Sequence, residues 1–254
     1  MTAEFRTIGL ITLLGVSLVA CGGGGGGGGN DFSGGGSVGT AEGLWKGTSS
    51  VGRDIDGLVL PNGQYWVIYT AVGNNAVIAG VLEGNGTSQS GRFTSTNGLD
   101  FNFEGLGILD VDIDANYVKE QTLNGTVKYS NEQFTFASAF QPAYNLTPTL
   151  AAITGTYDGT AQVGFGGEFT SVVITPEGAL SGQSASGCLF TGVVTTGTGG
   201  NYYNVTVTFR GGVCANGTQT VTGVGYYDAT TRILWSAALN ADRTSGFLFG
   251  GTKA

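Results

Sequence analysis

The stretch 110–116 spaces acidic residues in the way that a calcium-binding loop does. Its sequence is DVDIDAN, and it places Asp110, Asp112 and Asp114 at the first, third and fifth positions of an EF-hand-type loop. The sixth position lacks the glycine that this loop needs for its sharp turn, and the twelfth is Gln121 where a glutamate is needed. The same alternation predicts a β-strand that exposes the three carboxylates and turns the apolar residues between them inward. We take the strand as the prediction and keep a weak calcium site as the alternative.

The rest of the chain shows no motif for catalysis. It contains no His, which removes the Ser-His-Asp and Cys-His nucleophiles, His-ligated zinc and a general base that titrates near neutral pH. Outside the glycine-rich stretch 22–39, no GxSxG, Walker or GxGxxG sequence is found. Two carboxylates can hydrolyse glycosides, but acidic residues scattered over predicted strands single out no pair. We therefore predict that the protein is not an enzyme and has no cofactor, with a hydrolase as the remaining catalytic alternative.

An apolar N-terminal run ends at a cysteine. Residues 7–20 (TIGLITLLGVSLVA) have the length of a signal-peptide core and are too short to span a bilayer. Arg6 precedes the run, and the sequence Leu-Val-Ala-Cys closes it at Cys21. This sequence resembles the lipobox of bacterial lipoproteins, which implies removal of the signal and lipidation of Cys21; an ordinary signal peptide is the alternative. Several acyl chains at one site give stable anchoring, since each buried CH₂ contributes about 0.8 kcal/mol.

The residues after Cys21 predict a tether and a location. Eight consecutive glycines follow the cysteine, and the stretch 22–40 is poor in apolar residues, so a flexible segment is expected. Glycine rather than aspartate at position 22 implies, by resemblance to lipoproteins, delivery to the outer membrane. Glycine-rich stretches of this kind are similar to those of surface lipoproteins of the factor H-binding and transferrin-binding B types. The resemblance implies a protein anchored through its lipidated N-terminus in the outer membrane, at the periplasmic face or the cell surface.

With Cys21 lipidated, the remaining two cysteines form an even pair outside the cytoplasm. Cys188 and Cys214 flank a predicted hairpin and lie near its open end, so a disulfide between them is expected. The competing interpretation, a metal-binding pair, lacks further thiols and any His. We predict a disulfide and no metal site at these cysteines.

Short alternating segments joined by turn signals fill the chain beyond the tether. In 202–210 (YYNVTVTFR), every second residue from Tyr203 to Phe209 falls on one face, and Phe101 and Phe103 share a face in the same way. Asn-Gly and Pro-x-Gly turns recur at short intervals between such segments. Many short strands joined by hairpins predict an all-β protein built as an antiparallel barrel or sandwich.

Two sequence matches in the same order indicate an internal repeat. GLWKGT (43–48) matches GTYDGT (155–160) at an offset of 112, and GLVLPNG (57–63) matches VVITPEG (172–178) at an offset of 115. The repeat predicts two small antiparallel β-barrels in tandem, lipocalin-like or similar, with one long sandwich as the alternative.

The predicted organisation follows from these signals. It comprises a signal peptide at residues 1–20, a lipidated cysteine and glycine-rich tether at 21–40, an N-terminal barrel at 41–143, a linker at 144–153 and a C-terminal barrel at 154–254. Within the linker, Thr147 before Pro148 is the candidate N-cap of a single helical turn.

The charge is acidic and uneven. The formal net charge is −8; residues 22–150 hold five basic against twelve acidic residues, giving −7, and residues 151–254 hold four against five, giving −1. No basic stripe exists that could release phosphate counterions, so nucleic acid is excluded as a partner. The acidic first half predicts a protein partner with a basic surface, or it serves solubility alone.

Aromatic residues are the remaining candidates for a binding site. Trp45, Trp66 and Trp235, with tyrosine pairs at 202–203 and 226–227, either line a ligand cavity or pack in a core. We predict a membrane-anchored, non-catalytic binding protein of the bacterial envelope or surface. The alternative is a structural envelope lipoprotein without a small ligand.

Overall fold

The computed structural model describes residues 39–164 and 166–254, and its first half is a closed β-barrel. The strands of this half are β1 (Gly43–Ser49), β2 (Asp54–Val59), β3 (Gln64–Ala71), β4 (Asn74–Asn85), β5 (Thr87–Gln89), β6 (Arg92–Asn102), β7 (Gly107–Val118), β8 (Thr122–Lys128) and β9 (Gln133–Phe140). All pairings are antiparallel. β9 pairs with β1, and β4 pairs directly with β6, which closes the ring. The short strand β5 pairs only with β6 and lies outside this ring. Closure leaves the eight ring strands without a free edge.

The second half is an eight-stranded closed barrel in which every strand pairs with its neighbours in sequence. Its strands are β10 (Gly155–Val163), β11 (Gly166–Ile174), β12 (Ala179–Ser184), β13 (Leu189–Thr196), β14 (Tyr203–Phe209), β15 (Thr220–Asp228), β16 (Ile233–Leu239) and β17 (Gly246–Lys253). β17 pairs with β10 and closes the ring. The predicted all-β fold with two tandem antiparallel barrels is confirmed, and the alternative of one long sandwich is wrong.

The residues of the internal repeat occupy equivalent places in the two barrels. Trp45 and Tyr157 lie in the first strand of each barrel and are 2% and 0% exposed. Gly63 and Gly178 end the turn that follows each second strand, with φ of 86° and 83°, where only glycine avoids a steric penalty. The carbonyl oxygen of each glycine accepts a backbone hydrogen bond from a later segment of its own barrel, at 2.9 and 2.7 Å. The repeat thus lies at the start of each barrel.

The segment between the barrels is short and ordered into two turns. A 3₁₀ turn covers Pro142–Asn145, and a one-turn helix, α1, covers Leu150–Ile153. The expected N-cap at Thr147 is wrong, because the cap is Thr149, whose Oγ1 accepts a hydrogen bond from the Ala152 amide at 3.3 Å.

Contacts with the second barrel determine where α1 begins. Ile153 is 0% exposed and packs with the interior side chains of this barrel. The hydroxyl of Tyr157 donates to the carbonyl of Ile153 at 2.8 Å, and that of Tyr203 donates to the carbonyl of Thr149 at 3.1 Å. These contacts fix the helical turn against one end of the barrel, and the local sequence alone does not contain them.

A third apolar cluster lies between the two barrels, in addition to the interior of each. It is formed by outward-facing residues of both: Leu44, Leu58, Leu60, Trp66, Val81 and Phe101 from the first barrel, Tyr144 from the connection, and Tyr202, Val224, Ala237, Leu239 and Leu248 from the second. We call this surface the barrel contact. It explains why Tyr202, which directly precedes β14, is only 5% exposed.

The sequence predicts a signal peptide, a lipidated cysteine and a tether in the N-terminal region. The signal segment, Cys21 and the tether up to residue 38 lie outside the described residues. In the described ranges, 39–164 and 166–254, no helix has the length and apolar character needed to cross a bilayer.

Candidate functional site

The two C-terminal cysteines are joined. Cys188 and Cys214 form a disulfide with an S–S distance of 2.01 Å, and their side chains pack in the interior cluster of the second barrel. Cys188 directly precedes β13 and Cys214 follows β14, so the bond crosses the open end of the β13–β14 hairpin. The disulfide that the sequence predicts is present in the structure.

The acidic triplet lies on the outside of the first barrel. Asp110 and Asp112 are exposed on β7, and Asp114 is half-buried on the same face. Arg92 on β6 donates two hydrogen bonds to the Asp114 carboxylate at 2.8 and 2.7 Å, and Lys128 on β8 lies 3.7 Å from it. The hydrogen bonds from Arg92 hold the pKa of Asp114 below its usual value. The triplet is therefore partly neutralised by its neighbours in the sheet, which the strand pattern did not reveal.

No metal-binding group is assembled from these carboxylates. Among residues 39–164 and 166–254, no three His, Cys, Asp or Glu side chains come close enough to hold a metal ion. The calcium alternative for Asp110, Asp112 and Asp114 therefore has no geometry to support it.

The aromatic candidates divide between the barrel interiors and the barrel contact. Trp45 packs inside the first barrel, whereas Trp66 and Trp235 line the contact. In the two tyrosine pairs, Tyr203 and Tyr227 face the interior of the second barrel, and their neighbours face the first barrel. A two-residue period accounts for this division, because adjacent residues of a strand point to opposite faces.

The first barrel encloses a cavity of about 160 Å³. Its wall is mainly apolar and aromatic, with contributions from Trp45, Ile55, Val59, Tyr65, Val67, Leu82, Phe93, Ile113, Leu123 and Phe136. One end is open, and Val51 and Leu106 line it there with 36% and 64% of their surface exposed. An apolar molecule would therefore meet apolar surface from the mouth to the interior.

A polar cluster inside this cavity centres on Asp100. The carboxylate is 2% exposed and accepts hydrogen bonds from the hydroxyl of Tyr69, at 2.8 and 3.0 Å to its two oxygens, and from that of Tyr129 at 2.9 Å. The amide of Asn102 donates to the Tyr69 hydroxyl at 3.1 Å. Burial raises the pKa of Asp100 to about 6, although the two tyrosine hydroxyls oppose this shift. The site thus holds a carboxylate that titrates close to neutral pH.

An ion pair stands at the mouth of the cavity, beside this cluster. Arg53 donates to both carboxylate oxygens of Glu104, at 2.7 and 3.3 Å, and to the carbonyl of Thr70 at 2.9 Å. Its guanidinium carbon lies 5.2 Å from the ring centroid of Tyr69, within the range of a cation–π contact. Although partial burial opposes it, the pairing with Glu104 raises the pKa of Arg53. These contacts order the rim around Tyr69.

The carboxylates that line this cavity differ in exposure: Asp100 is buried, whereas Glu104 and Glu132 are exposed. Within the described ranges, 39–164 and 166–254, the buried carboxylates are Asp100 and Glu83. Glu83 belongs to the barrel contact, where its Oε2 lies 2.7 Å from Nε of Arg243. The two buried acids therefore lie in different environments and do not form a pair.

The second barrel also encloses space. A cavity of about 240 Å³ lies at the end remote from α1, lined by Phe190, Phe209, Phe247, Phe249 and the disulfide residue Cys188. Among the described residues that line it, none forms a buried titratable cluster like that around Asp100. We therefore take the cavity of the first barrel as the candidate functional site.

Asp100 is the residue that sequence reasoning missed. The segment LDFNFEG shows two faces, and the aromatic face with Phe101 and Phe103 looks like the interior one. The structure reverses this: Phe101 and Phe103 pack at the barrel contact, and Asp100 and Asn102 point into the barrel. The available signal was the apolar run YWVIY (65–69) in β3 of the same barrel, because a strand that is apolar on both faces is covered on both.

Comparisons with known proteins give likenesses to solved structures at low identity and low TM-score. No family model and no curated protein matches the sequence. Among solved structures, transferrin-binding protein B from Haemophilus parasuis is similar over 80% of this chain, with 10% identity and a TM-score of 0.33. Transferrin-binding protein B from serogroup B Neisseria meningitidis is similar over 80%, with 9% identity and a TM-score of 0.32.

A candidate outer-membrane protein from Bacteroides fragilis is also similar, over 85% of this chain and 97% of its own, with 16% identity and a TM-score of 0.26. The chain spans 66% of the length of each of the two transferrin-binding proteins.

Proposed function

We propose that this chain is a lipid-anchored, non-catalytic outer-membrane protein that binds a small, largely apolar molecule inside its first barrel. The observation that carries the proposal is the open cavity of about 160 Å³ with Asp100 buried in its wall. Ligand sites are typically apolar concavities with a few placed polar groups and a titratable group of shifted pKa. This cavity has all of these features.

The size and lining of the cavity in the first barrel limit the kind of ligand that can bind there. An engineered protein cavity of about 150 Å³ accommodates benzene, so the ligand portion that enters is about the size of one ring. Asp100 has a pKa of about 6 and is therefore mainly ionised at neutral pH, where it accepts hydrogen bonds. Asp100 and the surrounding aromatic rings favour a ring-sized group that carries a hydrogen-bond donor or a positive charge.

Benzene and benzylamine test this proposal against a variant with a filled cavity. Gly57 lines the cavity, and an added Cβ there would contact Val67 at an ordinary 3.5 Å, so Gly57→Leu is expected to fill the space. At a probe concentration ten times its Kd, mass action stabilises the folded protein by about 1.4 kcal/mol, or about 3–5 °C in Tm for a protein of this size. We expect this shift for the native chain and for Thr206→Leu, an exposed control, but not for Gly57→Leu. The absence of a shift with either probe in the native chain would instead favour the structural envelope role.

The anchoring part of the proposal rests on Cys21. We expect Cys21→Ala to abolish incorporation of labelled palmitate and to release the protein from the membrane fraction, because the thiol is the acyl acceptor. Cys188→Ala together with Cys214→Ala is the matched control and should remain labelled, since these two thiols are joined in the barrel. A Cys21→Ala protein that is still labelled and sediments with membranes would contradict the lipid anchor.

A further inference from the structure

A groove of about 380 Å³ lies between the two barrels and has one lining residue, Asn102, in common with the cavity of the first barrel. Phe101 and Phe103 of β6 and its following turn form one wall, and Leu239 and Phe247 of the second barrel form the other. No charged side chain is among the described residues that line it. The groove therefore suits a neutral occupant, because an ion would be partly desolvated there without a compensating charge.

Two residues that line this groove each carry a buried polar atom that has no hydrogen-bond partner among the described residues. Trp66 lines the groove and is 4% exposed, and its indole Nε1–H makes no hydrogen bond among the described residues. Gln162 lines it from the second barrel, and its Oε1 is buried and without a partner in the same part of the chain. Buried donors and acceptors are nearly always paired in folded proteins, because an unpaired one retains its full desolvation cost. The lining residues of the groove thus include one donor and one acceptor without a partner in residues 39–164 and 166–254.

We propose that the groove is a second ligand site, which takes a small apolar molecule containing an amide. The amide carbonyl accepts from Nε1–H of Trp66, and the amide N–H donates to Oε1 of Gln162. The apolar part of the ligand packs on the phenylalanine wall. A carboxylic acid fits less well because no Lys or Arg lines the described part of the groove.

N-acetyl-L-phenylalanine amide is the probe for this site, titrated into the full-length chain in detergent. The chain has three tryptophans, so ¹⁵N-labelled indole groups give three signals, and Trp66→Phe identifies the signal of Trp66 by its loss. We expect the Trp66 indole proton to move downfield and to saturate, with the signals of Trp45 and Trp235 unchanged. The Gly57→Leu variant should bind the probe as the native chain does, which separates this site from the cavity of the first barrel.

Gln162→Leu tests the acceptor without touching the observed signal. Loss of one neutral hydrogen bond is expected to weaken probe binding about 3- to 10-fold, whereas Gln183→Leu, an exposed glutamine of the same barrel, should leave it unchanged. Ethylbenzene, which lacks the amide, should not move the Trp66 indole proton downfield, because it offers no acceptor for its hydrogen bond. Three results would overturn the proposal. They are a Trp66 indole signal that the probe leaves unmoved, native affinity for the probe in Gln162→Leu, and loss of probe binding in Gly57→Leu.

Discussion

Replacing Arg243 by alanine is expected to destabilise both barrels together. Arg243 extends from the β16–β17 turn of the second barrel to the first, where its Nε lies 2.7 Å from Oε2 of Glu83. Its Nη2 donates to the carbonyls of Glu83 at 2.9 Å and Asn97 at 3.0 Å. Glu83 is 3% exposed, so the variant leaves a buried carboxylate whose remaining side-chain partner is the amide of Gln64 at 3.0 Å. Removing one partner of such a pair costs about 3 kcal/mol.

Because both barrels share the barrel contact, the loss of stability in Arg243→Ala should affect the whole protein. The apolar cluster around Trp66 and Tyr202 is shared by both barrels, and a second ion pair, Lys46 with Asp228 at 3.2 Å, spans the same surface. We expect one cooperative transition in urea, with hydrogen exchange in β7 and β14 accelerated to the same extent. Arg210→Ala removes an exposed arginine of the second barrel and should change the free energy of unfolding by less than about 0.5 kcal/mol. Two separate transitions, or exchange accelerated in one barrel alone, would mean that the barrels unfold independently.

The free energy of unfolding is expected to fall as the pH rises through the titration of Asp100. The pKa of this carboxyl is about 6 in the folded protein and 3.8 in its ordinary state. Between these values the folded chain retains a proton that the unfolded chain has released. The stabilisation by protonated Asp100 is therefore complete below about pH 4 and is lost as the pH passes about 6, with a full size of about 3 kcal/mol.

Asp100→Asn should flatten this dependence. The asparagine carbonyl oxygen can still accept from the hydroxyls of Tyr69 and Tyr129, but the group no longer ionises. The measurement is urea unfolding between about pH 5 and pH 8, a range above the pKa of Asp114, which is lowered. Burial also raises the pKa of Asp56, so the native slope contains both groups and only the difference between variants isolates Asp100. Asp110→Asn, on the exposed face, should keep the native slope; an Asp100→Asn protein that does the same would refute the assignment.

The local signals in the sequence were sufficient for the architecture of each barrel. Alternation along β7 and β14 predicted which residues share a face, because a strand has a two-residue period. The offset matches at 43–48 and 155–160 predicted two similar units, and both lie in the first strand of a closed barrel. Cys188 and Cys214 were paired because the hairpin between them brings its two ends together.

Which face of a strand points inward was decided only by the tertiary structure. The alternation in 99–105 places Asp100 and Asn102 on one face of the strand and Phe101 and Phe103 on the other. It does not indicate which of the two faces points into the barrel. The second barrel breaks this symmetry, because it offers apolar surface to Phe101 on the outside of the first. The candidate site around Asp100 therefore depends on a contact between residues more than 100 positions apart.

Contacts that form only in the folded protein also explain the other differences between the sequence-based predictions and the structure. Thr149 rather than Thr147 caps α1 because Tyr157 and Tyr203 of the second barrel bind the carbonyls of that turn. Asp114 is neutralised because pairing of β7 with its two neighbours brings Arg92 and Lys128 to it. Periodicity and turn chemistry act over a few residues and can be read from the chain; burial of an outer face and pairing of charges between strands require the assembled barrels.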